Sequence, residues 1–223
     1  MTKERPILFS SAMVRAILEG SKTQTRRLAK PVKHPDLGNV YAPGALVLER
    51  EPKYIIERAC PYGRPGDRLW VRETFYAYGR WETRYSAKKG RDEWHFVDMT
   101  AECCEVYRYA VDGDGLWPMP GRRQLAGAQP GWWKRPSIHM PRAASRILLE
   151  VTGVRMQRLQ DITEGDAKAE GVSIDERHGI GYCIGADRPP SIRAYRELWE
   201  QLNGAGSWNA NPWVWVIEFR RIS

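Results

Sequence analysis

Cysteine and histidine are scarce in this 223-residue chain: Cys60, Cys103, Cys104 and Cys183, with His34, His95, His139 and His178. No CxxC pair occurs and the histidines stand singly, which excludes the ligand spacings of a structural zinc site. Free thiols are the expected state, and neither a metal nor another cofactor is expected. No apolar run approaches the ~20 residues needed to span a bilayer. Ile7-Leu8-Phe9 is too short for the core of a signal peptide, so a cytoplasmic location without a membrane partner is expected. There is no internal repeat and no low-complexity tract, which excludes a solenoid.

Thirty-five Lys and Arg against 27 Asp and Glu give a net charge of +8, a field that favours polyanionic partners. Ten Trp supply large apolar surfaces for packing, or stacking faces for bases. The chain is long enough to bury a core without disulfides or metals.

Ile7-Leu8-Phe9 reads as a short buried strand. Ser10 or Ser11 caps a helix running through Glu19, with Met13/Ile17 and Val14/Leu18 as its apolar stripe, and Gly20 suits the position that ends it. Thr23 and Thr25 start an extended segment. Residues 28–66 are broken by Pro and Gly, with short strands expected at 46–48 and 54–57 and a half-buried strand over 68–73. Residues 76–135 lack sustained periodicity and read as an insertion carrying local strands of its own, such as 105–111. Residues 145–152 read as a strand paired with 154–159 around Gly153. Asp161 and Glu164 resemble a capping box opening a short helix that ends at Glu170-Gly171. A loop over 173–188 leads to a helix opened by Pro190, with Ile192, Tyr195, Leu198, Trp199 and Leu202 on one side, and residues 212–219 form a closing strand. The pattern predicts an α+β chain, a single domain over 1–223, built around a small, mostly antiparallel barrel flanked by helices.

The chemistry concentrates in Gly20-Ser21-Lys22-Thr23-Gln24-Thr25-Arg26-Arg27. An amine beside hydroxyls can act as a base next to a nucleophile, and paired guanidiniums can hold an anion. The same cations could instead complement the C-terminus of the preceding helix with their charges in water. Glu170 lies in the last turn of its helix, the unfavourable end of the dipole for a carboxylate, and therefore calls for a partner. Trp70 alternates with Leu69 and Val71 in its strand. His139 and Arg142 lie in Pro136-Ser137-Ile138-His139-Met140-Pro141-Arg142, and Trp132-Trp133-Lys134-Arg135 mixes aromatic and basic groups as a nucleic-acid contact does.

Gly20-x-Lys22 followed by Arg27 resembles the G-x-K-x-x-x-x-R signature of the ASCH domain, a relative of the PUA RNA-binding fold. The order of elements over 1–75 and 136–223 is similar to that family, particularly to a longer subgroup common in phage and prophage genomes. The resemblance implies a PUA-like barrel of five or six strands with a cleft beside the signature. Some compact members are N4-acetylcytidine amidohydrolases that use a lysine, a threonine and a glutamate, which fall here on Lys22, Thr25 and Glu170. Other members are RNA binders or nucleases.

On that resemblance the expected activity is metal-independent removal of an acyl group from N4-acylcytidine. Thr25 attacks, Lys22 is the base, and Glu170 orients or donates a proton. Arg26, Arg27, Trp70, His139 and Arg142 are the expected substrate contacts. The partner is a nucleoside, with RNA as the rival: a binding module or a ribonuclease would use the same basic cleft.

Overall fold

The computed structural model describes residues 2–113, 130–175, 178 and 188–223. These form an α+β chain of eleven strands: β1 (Glu4–Leu8), β2 (Gln24–Leu28), β3 (Val32–Lys33), β4 (Val40–Tyr41), β5 (Arg68–Arg72), β6 (Phe75–Ser86), β7 (Arg91–Asp98), β8 (Arg108–Tyr109), β9 (Gly131–Arg135), β10 (Leu148–Arg158) and β11 (Trp213–Arg221). Among the described residues the α-helices are α1 (Ser11–Leu18), α2 (Ala45–Leu48), α3 (Lys53–Ala59), α4 (Glu164–Ala169) and α5 (Pro190–Asn203). None is long and apolar enough to cross a membrane. Cys60, Cys103 and Cys104 are free thiols, and Cys183 lies outside the described residues.

The contacts divide the chain into two compact units. The first comprises Met1–Ile7, Arg15–Trp70 and Arg146–Ser223; the second comprises Leu8–Val14 and Val71–Ser145. The insertion expected over 76–135 falls within the second unit.

The first unit is built on a five-stranded sheet in the order β1-β5-β10-β11-β2. Among the described residues no pairing joins β1 to β2, so the sheet is open where a closed barrel was expected. The reason lies at β2. The start of that edge is taken by the segment after α4, through the bridge between Lys22 and Glu170 and the bond from Thr23 N to Ala169 O. Val214 and Val216 on one face of β11 pack with Ile192, Tyr195 and Trp199 of α5 and with Ala167 of α4. Trp215, Ile217 and Phe219 alternate to the other face and are equally buried. Burying both faces of β11 explains its near-continuous apolar run.

Three local expectations are corrected. Residues 46–48 and 54–57 are helical, in α2 and α3. Gly44 and Pro52 stand at the N-cap positions of these helices, and the turns that begin there outweigh the apolar, partly β-branched composition. Gly153 is not a hairpin turn. β10 runs on through it and pairs with β11 on both sides, with a bulge between Val151 and Gly153. A Cβ on Gly153 would lie 2.5 Å from Glu218 Oε2, so the glycine admits a close carboxylate. Finally, the cap of α4 is Thr163 rather than Asp161. Thr163 Oγ1 accepts from Asp166 N while Asp166 Oδ2 accepts from Thr163 N.

In the second unit β6 is central. It pairs antiparallel with β7 along residues 79–86, and with β8 and β9 along residues 75–79. Two adjacent residues, Arg108 and Tyr109, form the only strand found within the segment expected at 105–111. Phe75 and Ala77 point to a core with Met140 and Ala144, onto which Phe96, Tyr107 and Tyr109 pack. His139 lies in a tight helical turn between Pro136 and Pro141, not in a strand.

Gly79 sits where β6 is paired on both sides, and a Cβ there would lie 2.1 Å from Val97 O. A backbone carbonyl held in a ladder cannot retreat. Gly79→Ala should therefore destabilise the second unit by about 1–3 kcal/mol, read as a lower urea midpoint. Gly131→Ala, across the ladder with nothing closer than 4.0 Å, is the control and should leave the midpoint nearly unchanged.

Candidate functional site

α4 and β2 meet because both of their termini need partners. At the C-terminus of α4 the backbone turns at Gly171, which has φ +71°. A Cβ on Gly171 would lie 2.8 Å from the Cβ atoms of Ala16 and Lys22, so only glycine lets Lys22 pass this close. Lys22 Nζ then donates to Glu170 Oε2 at 2.8 Å and to the Glu170 carbonyl at 2.8 Å. The amine thus answers both the terminal carbonyl of the helix and the carboxylate at its negative end.

The amine is not in water. Lys22 and Glu170 are each 2% exposed, and Arg26 is 4% exposed. This removes the alternative in which these cations are solvated charges at the end of α1. Arg26 NH1 donates to Glu170 Oε1 at 3.3 Å and to Gln24 Oε1 at 2.6 Å, and its NH2 lies 3.0 Å from Asp166 Oδ2. Asp166 also accepts from Gln24 Nε2 at 3.0 Å and from Arg155 NH2 at 2.8 Å. Arg155 NH1 in turn donates to Glu218. The Tyr195 ring lies 5.8 Å from the Arg26 guanidinium carbon.

The sequence-predicted residues divide accordingly. Lys22, Arg26 and Glu170 are in direct contact. Alternation along β2 puts Gln24 and Arg26 on the face of Asp166 and Glu170, and Thr25 and Arg27 on the other. Thr25 is 2% exposed and pairs with Ile217. Trp70 is half-buried on β5, three strands from β2 in the sheet order. His139 and Arg142 are exposed residues of the second unit. Arg26, expected as a substrate contact, has no exposed side-chain surface and is committed to Glu170, Asp166 and Gln24. Gln24, Arg155 and Tyr195 were not singled out in advance. For Gln24 a signal existed: it shares the strand face of Arg26.

Burial lowers the proton affinity of Lys22. Glu170 raises it by charge and hydrogen bond, while Arg27 and Arg26 lower it further. Burial likewise pushes the Arg27 guanidinium down, against the opposing pull of Tyr62, Glu170 and Tyr195. Tyr195 is pushed well up, first by burial and then by Glu170. The arrangement is therefore a dry amine whose proton is contested. That is the requirement for a lysine general base.

Comparison with protein-family models, with curated proteins and with solved structures finds no match to this chain.

Burial raises the Asp166 carboxyl, but Gln24, Thr163, Arg26 and Arg155 overcome it and hold the group down at about 2. A depressed carboxylate stabilises the fold above the unfolded value near ~3.9, and that stability is lost as pH falls through about 2. Asp166→Asn should thus lower stability at pH 7 and flatten its decline between those values. Acid denaturation of both proteins checks this, and parallel curves would contradict it.

Proposed function

We propose that this protein is a metal-independent amidohydrolase of the ASCH type, removing the acyl group from N4-acylated cytidine at the Lys22–Glu170 centre. The observation that carries the reading is the buried 2.8 Å contact between Lys22 Nζ and Glu170 Oε2, made between residues 148 apart in sequence. The signature segment and the antiparallel pairing of β2, β11 and β10 beside it support a PUA-like architecture, with an open strand order.

In the reaction, neutral Lys22 takes a proton from water as that water attacks the acyl carbonyl, because Thr25, the nucleophile expected from the sequence, leaves β2 on the face opposite Glu170. The carbon–nitrogen bond then breaks, and the lysine ammonium returns its proton to the departing exocyclic amine. The products are the carboxylic acid and cytidine. Arg27, whose charge already acts on the Lys22 amine, supplies positive charge to the oxyanion. Glu170 accepts hydrogen bonds at both carboxylate oxygens, from Lys22 and Arg26. Its role is to orient the amine and balance the ammonium, not to donate a proton.

Incubation with N4-acetylcytidine and a chelator, followed by chromatography, should show release of cytidine. Lys22→Met, which keeps the side-chain volume, should reduce turnover by at least about 10²-fold. Folded wild-type protein that releases no cytidine would refute the reading.

The pH profile gives a second test. Activity needs the neutral amine, so it should rise with pH to a plateau reached below the ordinary lysine value of 10.5. Because Glu170 raises the proton affinity of Lys22, Glu170→Gln should move the midpoint of residual activity to lower pH. A midpoint moved upward would contradict the assignment.

A further inference from the structure

The sheet of the second unit has two unlike faces. Register places Phe75, Ala77, Trp81, Phe96, Trp133 and Arg135 on one face, and its inner half is the core with Met140 and Ala144. The guanidinium of Arg135 lies over Trp81 and Phe96 at 4.8 and 4.5 Å. The opposite face carries Tyr76, Tyr78, Arg80, Glu82 and Arg84 of β6, Arg91, Glu93 and His95 of β7, Arg108 of β8, and Trp132 and Lys134 of β9. Four arginines and one lysine thus stand there against two glutamates, and Glu82 pairs with both Arg80 and Arg84. Arg80, Arg84, Arg91, His95 and Lys134 are exposed, and Tyr78 and Trp132 are half-buried.

The aromatic and cationic groups on this face are interleaved. Arg108 lies over the Trp132 ring at 4.0 Å, Tyr78 meets the same ring edge-on at 5.7 Å, and Lys134 Nζ is 5.8 Å from the centre of Tyr76. Tyr76 is buried beneath this face, Tyr78 and Trp132 are half-buried beside each other across β6 and β9, and Arg108 covers the Trp132 ring. A single nucleic-acid strand has matching chemistry, with π-faced bases at its centre and phosphates along its edge. A duplex hides its base faces and could use only the charges.

We propose that this face of the β6–β7–β8–β9 sheet binds single-stranded nucleic acid. Bases stack at Trp132, Arg108 and Tyr78, while Arg80, Arg84 and Lys134 contact phosphates. This face belongs to the second unit and the Lys22–Glu170 centre to the first, and the proposal does not depend on the hydrolase reading.

The test uses the full chain and fluorescein-labelled 12-nucleotide RNA, DNA of the same sequence, and the RNA duplex, followed by anisotropy at several salt concentrations. Both single strands should bind more tightly than the duplex, with log affinity falling by about 0.7 per contacted phosphate for each tenfold rise in salt. Arg80→Glu and Lys134→Glu, both at exposed positions, should each weaken binding about tenfold and shallow the salt slope. They should leave nucleoside turnover unchanged. Trp132→Ala should weaken binding about tenfold or more; Trp132→Phe, which keeps a ring in place, should restore much of it and guards against misfolding of the alanine variant. RNA and DNA binding equally, or unequally, supports the proposal, because stacking and phosphate contact are common to both. It is overturned if neither strand binds at low salt, if the duplex binds as tightly, or if both charge reversals leave affinity unchanged.

Discussion

A lysine amine and a glutamate carboxylate removed from water impose the main constraint on the first unit. Desolvating two such charges costs several kcal/mol per ion unless geometry and further hydrogen bonds compensate. The compensation here extends well past the pair. Each carboxylate sits between two cations: Glu170 between Lys22 and Arg26, Asp166 between Arg26 and Arg155, and Arg155 reaches Glu218. The chain of alternating charge joins β2, α4, β10 and β11. It explains why a helix of six residues holds its position: Asp166 serves at once as its cap partner and as a link in the network. It also explains the bulge at Gly153, where the backbone yields to the Glu218 carboxylate.

The second unit solves a different problem. Its sheet is covered on one face, so hydrophobic burial there suffices, and the polar side chains collect on the other. Its buried contacts are rings against rings, such as Trp81 with Phe96 at 5.5 Å and with Trp133 at 6.1 Å. The Trp-rich composition, ambiguous between packing and stacking in the bare sequence, divides by register. Trp81 and Trp133 belong to the packed face and Trp132 to the basic one, and a two-residue period is what separates neighbours Trp132 and Trp133.

Where local chemistry decides structure, the sequence was legible. The capped α1 with its closing glycine, the proline-opened α5 and the apolar β11 all follow from caps and periodicity. Elements decided by partners distant in sequence were not. The helices at 45–48 and 53–59 carry strand-like side chains and were set by Gly44 and Pro52. β10 looked like a hairpin because nothing local announces that Glu218 will approach Gly153. β6 and β7 lie in a segment whose turn residues obscured an alternation that only pairing reveals. At the site, Lys22 and Glu170 were named from motif order and helix-end electrostatics. The role of Arg26 was misjudged, because which of two adjacent arginines faces the acidic helix depends on strand phase. The expected loop over 173–188 lies largely outside the described residues.

That phase also bears on the chemistry. Arg26 and Arg27 leave β2 on opposite faces, yet both depress the proton affinity of Lys22, so the amine lies within the field of both. On the Arg26 face every acceptor is already engaged: Gln24, Asp166 and Glu170 form a closed polar cluster with no exposed guanidinium surface. An acyl group brought to the amine from that side would have to displace a buried ion pair, which is typically destabilising by ~3–5 kcal/mol. On the other face Thr25 is itself buried and paired with buried Ile217, so that side offers no exposed hydroxyl. For the proposed reaction, then, Arg26 is a positioning residue behind Glu170, while Arg27 acts on the amine by its charge from the opposite face of β2.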